Sequence, residues 1–144
     1  METPQTFANH TRWHPPFHFF ILPVMLINFF WSVVVFVKVP DRNSGWWIVV
    51  SLALLMLTFF VRTNSLKVQD RIIRLEERLR YQQLLSPTLT AQAATLTPAQ
   101  ICALRFAGDD ELAELLNQVV AGQVRRPKDI KAAIKNWRAD YFRV

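Results

Sequence analysis

Two long runs without a formal charge dominate the first half of the chain. From Phe17 to Val37 there are twenty-one residues rich in Phe, Ile, Leu and Val, and a second run covers nineteen residues from Asn43 to Val61. As helices at about 1.5 Å per residue they would cover roughly 28 to 31 Å, the thickness of a hydrocarbon core of about 30 Å. The pattern therefore predicts transmembrane helices at 17–38 and 46–62, joined by a short extracytoplasmic loop at 39–45. That linker carries Pro40 and Gly45, punctuation that suits a tight antiparallel hairpin. Two buried helices of a soluble protein are the competing reading, and a core this small rarely needs two such runs. A cleaved signal peptide fits less well, because the first run is too long for an apolar h-region and no small-x-small cleavage site follows it.

Polar positions inside the runs are few: Asn28 and Ser32 in the first, Ser51 and Thr58 in the second. Ser32 lies five residues from the outer end of its span and Ser51 six from Gly45, so the two share a depth and can face each other, a helix–helix contact of under about 1 kcal/mol. Pro23 is expected to kink the first span.

After Arg62 the pattern changes to mixed charge with a helical period. Neither Pro nor Gly occurs from Trp46 to Ser86, so the second span is predicted to continue into a stalk at 63–86 as one helix. Val68, Ile72, Leu75 and Leu79 form one apolar stripe, with Asp70 to Arg74 and Glu76 to Arg80 as i,i+4 pairs elsewhere on the surface. The stripe resembles a coiled-coil stalk of about two heptads. It offers two uses: self-association between chains or, preferred here, packing of Leu75 and Leu79 against Leu112, Leu115, Leu116, Ile134 or Trp137 of the same chain.

Residues 87–144 read as a small helical module. Thr97-Pro98 signals an N-cap with proline at the first helical position, for a helix ending near Gly108. Asp109 is expected to cap the next helix, with Asp110 and Glu111 in its first turn, an apolar face of Leu112, Leu115, Leu116, Val119 and Val120, and Gly122 at its end. Pro127 opens a third helix. On it Ile130, Ile134, Trp137 and Tyr141 make an apolar stripe beside a basic stripe of Lys128, Lys131, Lys135 and Arg138, a candidate contact for anionic lipid or a partner. No nucleic-acid recognition motif accompanies the charge, and no nucleic acid is expected as a partner.

Composition sharpens this picture. Of the 144 residues 51% are hydrophobic and only 19% charged, below the roughly one quarter of an average globular chain. One cysteine, Cys102, allows no internal disulfide, and three glycines exclude a Gly-rich phosphate loop. The net charge is +6, and Arg12, Arg62, Lys67, Arg71, Arg74 and Arg78 outnumber Lys38 and Arg42 of the linker near the span ends. By the positive-inside rule both termini are expected in the cytoplasm.

The opening segment, 1–16, holds the densest chemistry. His10, His14 and His18 recur every four residues, a spacing that on one helix would align three imidazoles for a metal. Pro15 and Pro16 are expected to break such a helix between His14 and His18, with Pro16 starting the first span, which leaves these histidines low-ranked as metal ligands and favours an interfacial belt. Arg12 and Trp13 would lie at the inner interface and Trp46 and Trp47 at the outer one. No nucleophile motif or base–nucleophile pairing points to an enzyme, and no cofactor is expected.

The string NHTRWHPPFHFF at 9–20, RLEERLR at 74–80, LTPAQICALRFAGDDEL at 96–112 and the ending IKNWRADYFRV together resemble a family of small bacterial membrane proteins of unknown function with two spans and a cytoplasmic tail. The resemblance implies a bacterial inner-membrane location and no activity. The resulting expectation is an all-α membrane protein: a hairpin anchor, a cytoplasmic stalk and a C-terminal helical module, acting as a non-enzymatic interaction or accessory protein with the lipid bilayer and a membrane-protein partner. The alternative is a metal- or haem-binding redox accessory using the N-terminal histidines.

Overall fold

The computed structural model describes residues 4–9 and 13–141. The described residues form six α-helices preceded by a π-helical turn, and one isolated antiparallel bridge but no strand. The helices are α1 (Leu22–Lys38), α2 (Arg42–Leu84), α3 (Pro87–Ala93), α4 (Pro98–Leu104), α5 (Leu112–Val120) and α6 (Pro127–Ala133), with the π-helical turn at Pro16–Ile21. The described residues divide into two compact units, residues 13–67 and residues 68–141 with 4–9, and α2 contributes to both.

In the first unit the helix begins at the prolines. Proline lacks an N–H, but the first turn of a helix has no acceptor for one, so Pro15 and Pro16 fit its start. Phe17 and His18 donate their backbone N–H groups to the His14 carbonyl at 3.1 and 3.0 Å. The helix thus starts at the prolines, as expected for Pro16, and His14 stays outside it, one turn before His18. The wide turn ends with Leu22 N–H donating to the Phe17 carbonyl, five residues back, directly before Pro23. Chain irregularity near Pro23 takes this form.

The helix of the first span and the opening part of α2 pack as a hairpin. At the linker end, a Cβ added at Gly45 would stand 3.5 Å from the Phe36 ring. Midway, Ser32 Oγ and Ser51 Oγ are 2.8 Å apart and buried, at the common depth their spacing predicts. At the far end the Arg62 guanidinium lies 5.6 Å from the centre of the Phe17 ring. Helix α2 starts at Arg42, four residues before the predicted second span, because Asp41 and Ser44 cap it reciprocally. Ser44 N–H donates to Asp41 Oδ1 at 2.6 Å and Asp41 N–H to Ser44 Oγ at 3.1 Å. The Ser44 N–H holds the Asp41 carboxyl below its ordinary pKa.

From Arg42 to Leu84 the helix is continuous over 43 residues, as the lack of breakers predicts. Thr63 and Ser65, residue types common at helix starts, instead donate their hydroxyls to the Phe59 and Val61 carbonyls of the turn before.

In the second unit, α3 to α6 gather around a core that includes Leu89, Leu104, Phe106, Leu112, Leu116 and Ile130. Local signals place the helix ends. Ser86 accepts the Leu89 N–H, Thr97 and Gln100 form a capping box, and Gly122 takes φ +74° after α5. The side of α2 turned to this core carries Ile73, Glu77, Arg80 and Tyr81, all buried. The expected packing of Leu75 and Leu79 on the module is therefore corrected: Val68, Ile72, Leu75 and Leu79 stay 57, 52, 61 and 53% exposed.

The last helix also ends earlier than predicted. α6 stops at Ala133, and Ile134 is extended. Glu111 accepts the N–H groups of Lys135 and Asn136, each at 3.0 Å, and Gly108 N–H donates to the Asn136 carbonyl at 2.8 Å. With Arg138 N–H donating to the Phe106 carbonyl at 2.8 Å, residues 134–141 become a strap whose Trp137 bridges to Ala107. The backbone groups that would have extended the helix are held elsewhere. Near the end of the strap the Gln5 amide grips Asp140 at two points, Nε2 donating to its carbonyl at 3.1 Å and Oε1 accepting its N–H at 2.9 Å.

Candidate functional site

The structure concentrates its unusual chemistry on the buried face of α2. Ile73, Glu77, Arg80 and Tyr81 follow the i, i+4, i+7, i+8 spacing of a single helix face, so a carboxylate and a guanidinium enter the module among apolar side chains. Glu77 is 2% exposed, and both of its oxygens are used: Oε2 accepts from Arg80 at 3.1 Å and Oε1 from Arg138 of the strap at 3.0 Å.

Arg80 is almost as deep and spreads its donors over three acceptors. Besides Glu77 it donates to Asp109 Oδ1 at 2.9 Å and to the Ala107 carbonyl at 2.7 Å. Burying an ion costs several kcal/mol, and such a group is stable only when charge partners and further hydrogen bonds are in place. Here the network ties α2 to the α4–α5 loop and to the strap. Asp109, expected as a helix cap, serves Arg80 instead, while Asp110 accepts from the Asn136 amide at 2.6 Å.

Beside the network a cavity of about 230 Å³ is lined by Ile73, Glu76, Glu77, Arg105, Arg138 and Asp140. Arg105 is buried, with its guanidinium 4.5 Å from the Phe106 ring centre and Nε 3.1 Å from Asp140 Oδ2, a contact of charges without hydrogen-bond alignment. Charges of both signs line the cavity, so it carries no single-sign field for an anion or a cation.

Two further groups are perturbed. Tyr81 is buried and its hydroxyl has no hydrogen-bond partner; burial, then the Glu77 charge, pushes the phenol well above its ordinary pKa. Cys102 is half-buried, with Sγ 3.8 Å from Asp70 Oδ1; burial and then the Asp70 charge raise the thiol above its usual value. A raised thiol is a poor nucleophile at neutral pH.

The sequence-predicted positions are dispersed. Trp13 is exposed and packs edge-on to His18 at 4.9 Å, and Trp46 and Trp47 are exposed near the start of α2. His18 Nδ1 lies 3.0 Å from the His14 carbonyl, and His14 Nδ1 is buried with no partner. Among the described residues no group of three His, Cys, Asp or Glu is placed to hold a metal. His10 and Arg12 lie outside the described residues.

The four basic residues do not share one helical stripe, since α6 ends before Lys135 and Arg138. Lys128 and Lys135 are exposed, the Lys131 ammonium lies 5.5 Å from the Phe106 ring centre, and Arg138 is engaged by Glu77. The i,i+4 pairing of Glu76 with Arg80 is likewise replaced, because Arg80 turns inward. Glu77 was passed over by sequence reasoning and Arg80 and Asp109 were given other roles; the one available signal was the alignment of Glu77 with Ile73 and Tyr81 opposite the apolar stripe.

Against known proteins, one family model matches residues 1–144 and is described as Family of unknown function (DUF6526). No curated protein and no solved structure matches the chain.

Proposed function

The chain belongs to this family of unknown function, and we propose that it is a non-enzymatic two-span protein of the bacterial inner membrane. In this reading a hairpin anchor presents a basic helical module to the cytoplasmic membrane surface or to a membrane-protein partner.

One observation carries the reading. Two helices, Pro16–Lys38 and Arg42–Leu84, are long and apolar enough to cross a membrane, and their large apolar side chains point outward. Phe19, Phe20, Ile27, Phe30, Trp31 and Val37 are largely exposed. A core helix of a soluble protein would bury such side chains, whereas a continuous apolar surface of this kind suits lipid.

The polar side chains of the hairpin agree, since Ser32, Ser51 and Thr58 each donate to a carbonyl of their own helix, which leaves none of these three hydroxyls unsatisfied in hydrocarbon. The grip of Gln5 on Asp140 supports termini on one side of the membrane, as two spans require. The raised thiol of Cys102, a poor nucleophile at neutral pH, is in keeping with a non-enzymatic role. Exposed Lys128 and Lys135 supply cations for acidic headgroups.

Membrane fractionation tests the anchor: the protein is expected to stay in the pellet through alkaline carbonate extraction. A reporter active only in the periplasm, fused after Val144, is expected to be silent, and one active only in the cytoplasm to be active. Release by carbonate, or periplasmic activity, overturns the reading.

A further inference from the structure

The apolar stripe of α2 has no partner within the chain, yet its register is that of a coiled-coil seam. Val68, Ile72, Leu75 and Leu79 alternate spacings of four and three, which assigns Val68 and Leu75 to d positions and Ile72 and Leu79 to a positions. All four are more than half exposed. The face that meets the module, carrying Ile73, Glu77, Arg80 and Tyr81, lies on roughly the opposite side of the helix, so the seam is open while the module is folded.

The flanks of the stripe name the occupant. Arg71 and Arg78 fall at g, and Glu76 falls at e. In a parallel two-stranded coil the g residue of one helix meets the e residue five positions on in the other. That rule pairs Arg71 with Glu76 of a second copy, and symmetry makes the same pair again on the other side. Arg78 meets Gln83 in the same way. Arg71 and Glu76 are exposed and make no ion pair within the described residues. An antiparallel pair would instead set Arg71 against Arg78, a like-charge contact.

We propose that two copies of the chain associate in parallel through α2, with Val68, Ile72, Leu75 and Leu79 as the seam and Arg71 of each copy paired to Glu76 of the other. The common polarity of the two helices rests on the membrane reading above, because inserted chains enter the cytoplasm in one direction. Ser65 at a and Gln82 at d bound the seam at its two ends. A seam of two heptads is short for association in solution, and confinement of both copies to one membrane raises their effective concentration.

The test is disulfide trapping of the full chain in native membranes, with Cys102→Ser as the background. A chain carrying Leu75→Cys is expected to form a covalent dimer on mild oxidation, and one carrying Lys67→Cys, away from the seam, is expected to stay monomeric. In the Leu75→Cys background, Arg71→Glu alone or Glu76→Arg alone turns the flanking pair repulsive and should lower the trapped fraction roughly tenfold. Co-expression of these two variants should restore it as a mixed dimer. Equal trapping at Lys67 and Leu75, no trapping at Leu75, or no response to the charge changes overturns the proposal. Preferential trapping between Val68→Cys and Leu79→Cys chains overturns the parallel arrangement. Carbonate extraction of the same samples separates the two readings: dimers trapped from a soluble protein would uphold the pairing and overturn the anchor.

Discussion

The hairpin and the module dispose of polar and apolar groups in opposite ways. In the hairpin the interior contact is a pair of serine hydroxyls and the outside is Phe, Trp, Ile and Val. In the module the outside is mixed and charged, the interior holds Phe106, Leu104, Leu112 and Ile130, and within it lies a full ionic network on Glu77 and Arg80. A hydroxyl can satisfy itself on its own helix, as Ser32 and Ser51 do on the Phe29 and Ile48 carbonyls. A buried carboxylate cannot, and needs cations brought from elsewhere in the sequence. The contrast teaches that polarity in the hairpin is local and cheap to rearrange, whereas in the module it is non-local and coupled to the fold.

The strongest way to break this contrast is to remove the anion at the centre of the network. Glu77→Ala would leave Arg80 buried beside the partly exposed Asp109 and should cost the module about 3–5 kcal/mol, against under about 1 kcal/mol for Asp109→Asn at the exposed rim. Denaturant titration of the detergent-solubilised protein, followed by near-ultraviolet dichroism of the module, measures both. Equal effects at the two positions would show that burial of Glu77 does not set the energetics.

The next largest effect tests what surrounds the hairpin. Phe30 points outward, so Phe30→Arg should be nearly neutral on a water-facing surface but cost about 2.5–3.5 kcal/mol near the centre of a lipid-facing span. The carbonate-resistant fraction measures it, and an unchanged membrane fraction would remove the distinction between the two surfaces.

The smallest effect sharpens the hairpin side. Ser51→Ala removes one partner of the serine pair, and Ser32 retains the Phe29 carbonyl, so the loss should be about 0.6 kcal/mol or less. Thermal unfolding in micelles checks this, and a loss comparable to that of Glu77→Ala would show that the hairpin too depends on a coupled polar contact.

What the sequence made legible follows the same division. The hairpin was readable because lipid-length apolar runs are a bulk property, and residue counting placed Ser32 opposite Ser51. Helix starts and stops carried by local chemistry were readable too: Thr97-Pro98, Pro127 and Gly122 each mark a boundary that the structure contains. Features fixed by distant partners were not. The end of α6 is set by Glu111, more than twenty positions earlier, with no Gly or Pro to announce it. The face of α2 chosen by the module is the one with Glu77 and Arg80, which looks unfavourable until Arg138, Asp109 and the Ala107 carbonyl are added. The apolar stripe drew the reading to the other side. Pro16, by contrast, was readable as the start of the first span, because a proline suits a first helical turn.

The clasp between Gln5 and Asp140 also imposes an order in time. Its two halves are separated by 135 positions, and every helix of the described residues lies within the loop that it closes. During synthesis Gln5 emerges before, and Asp140 after, both apolar helices and every helix of the module. No nascent chain can engage it early. The strap that holds Glu77 through Arg138 is thus fastened only after α1 to α6 have emerged, and until then the charged face of α2 stands open.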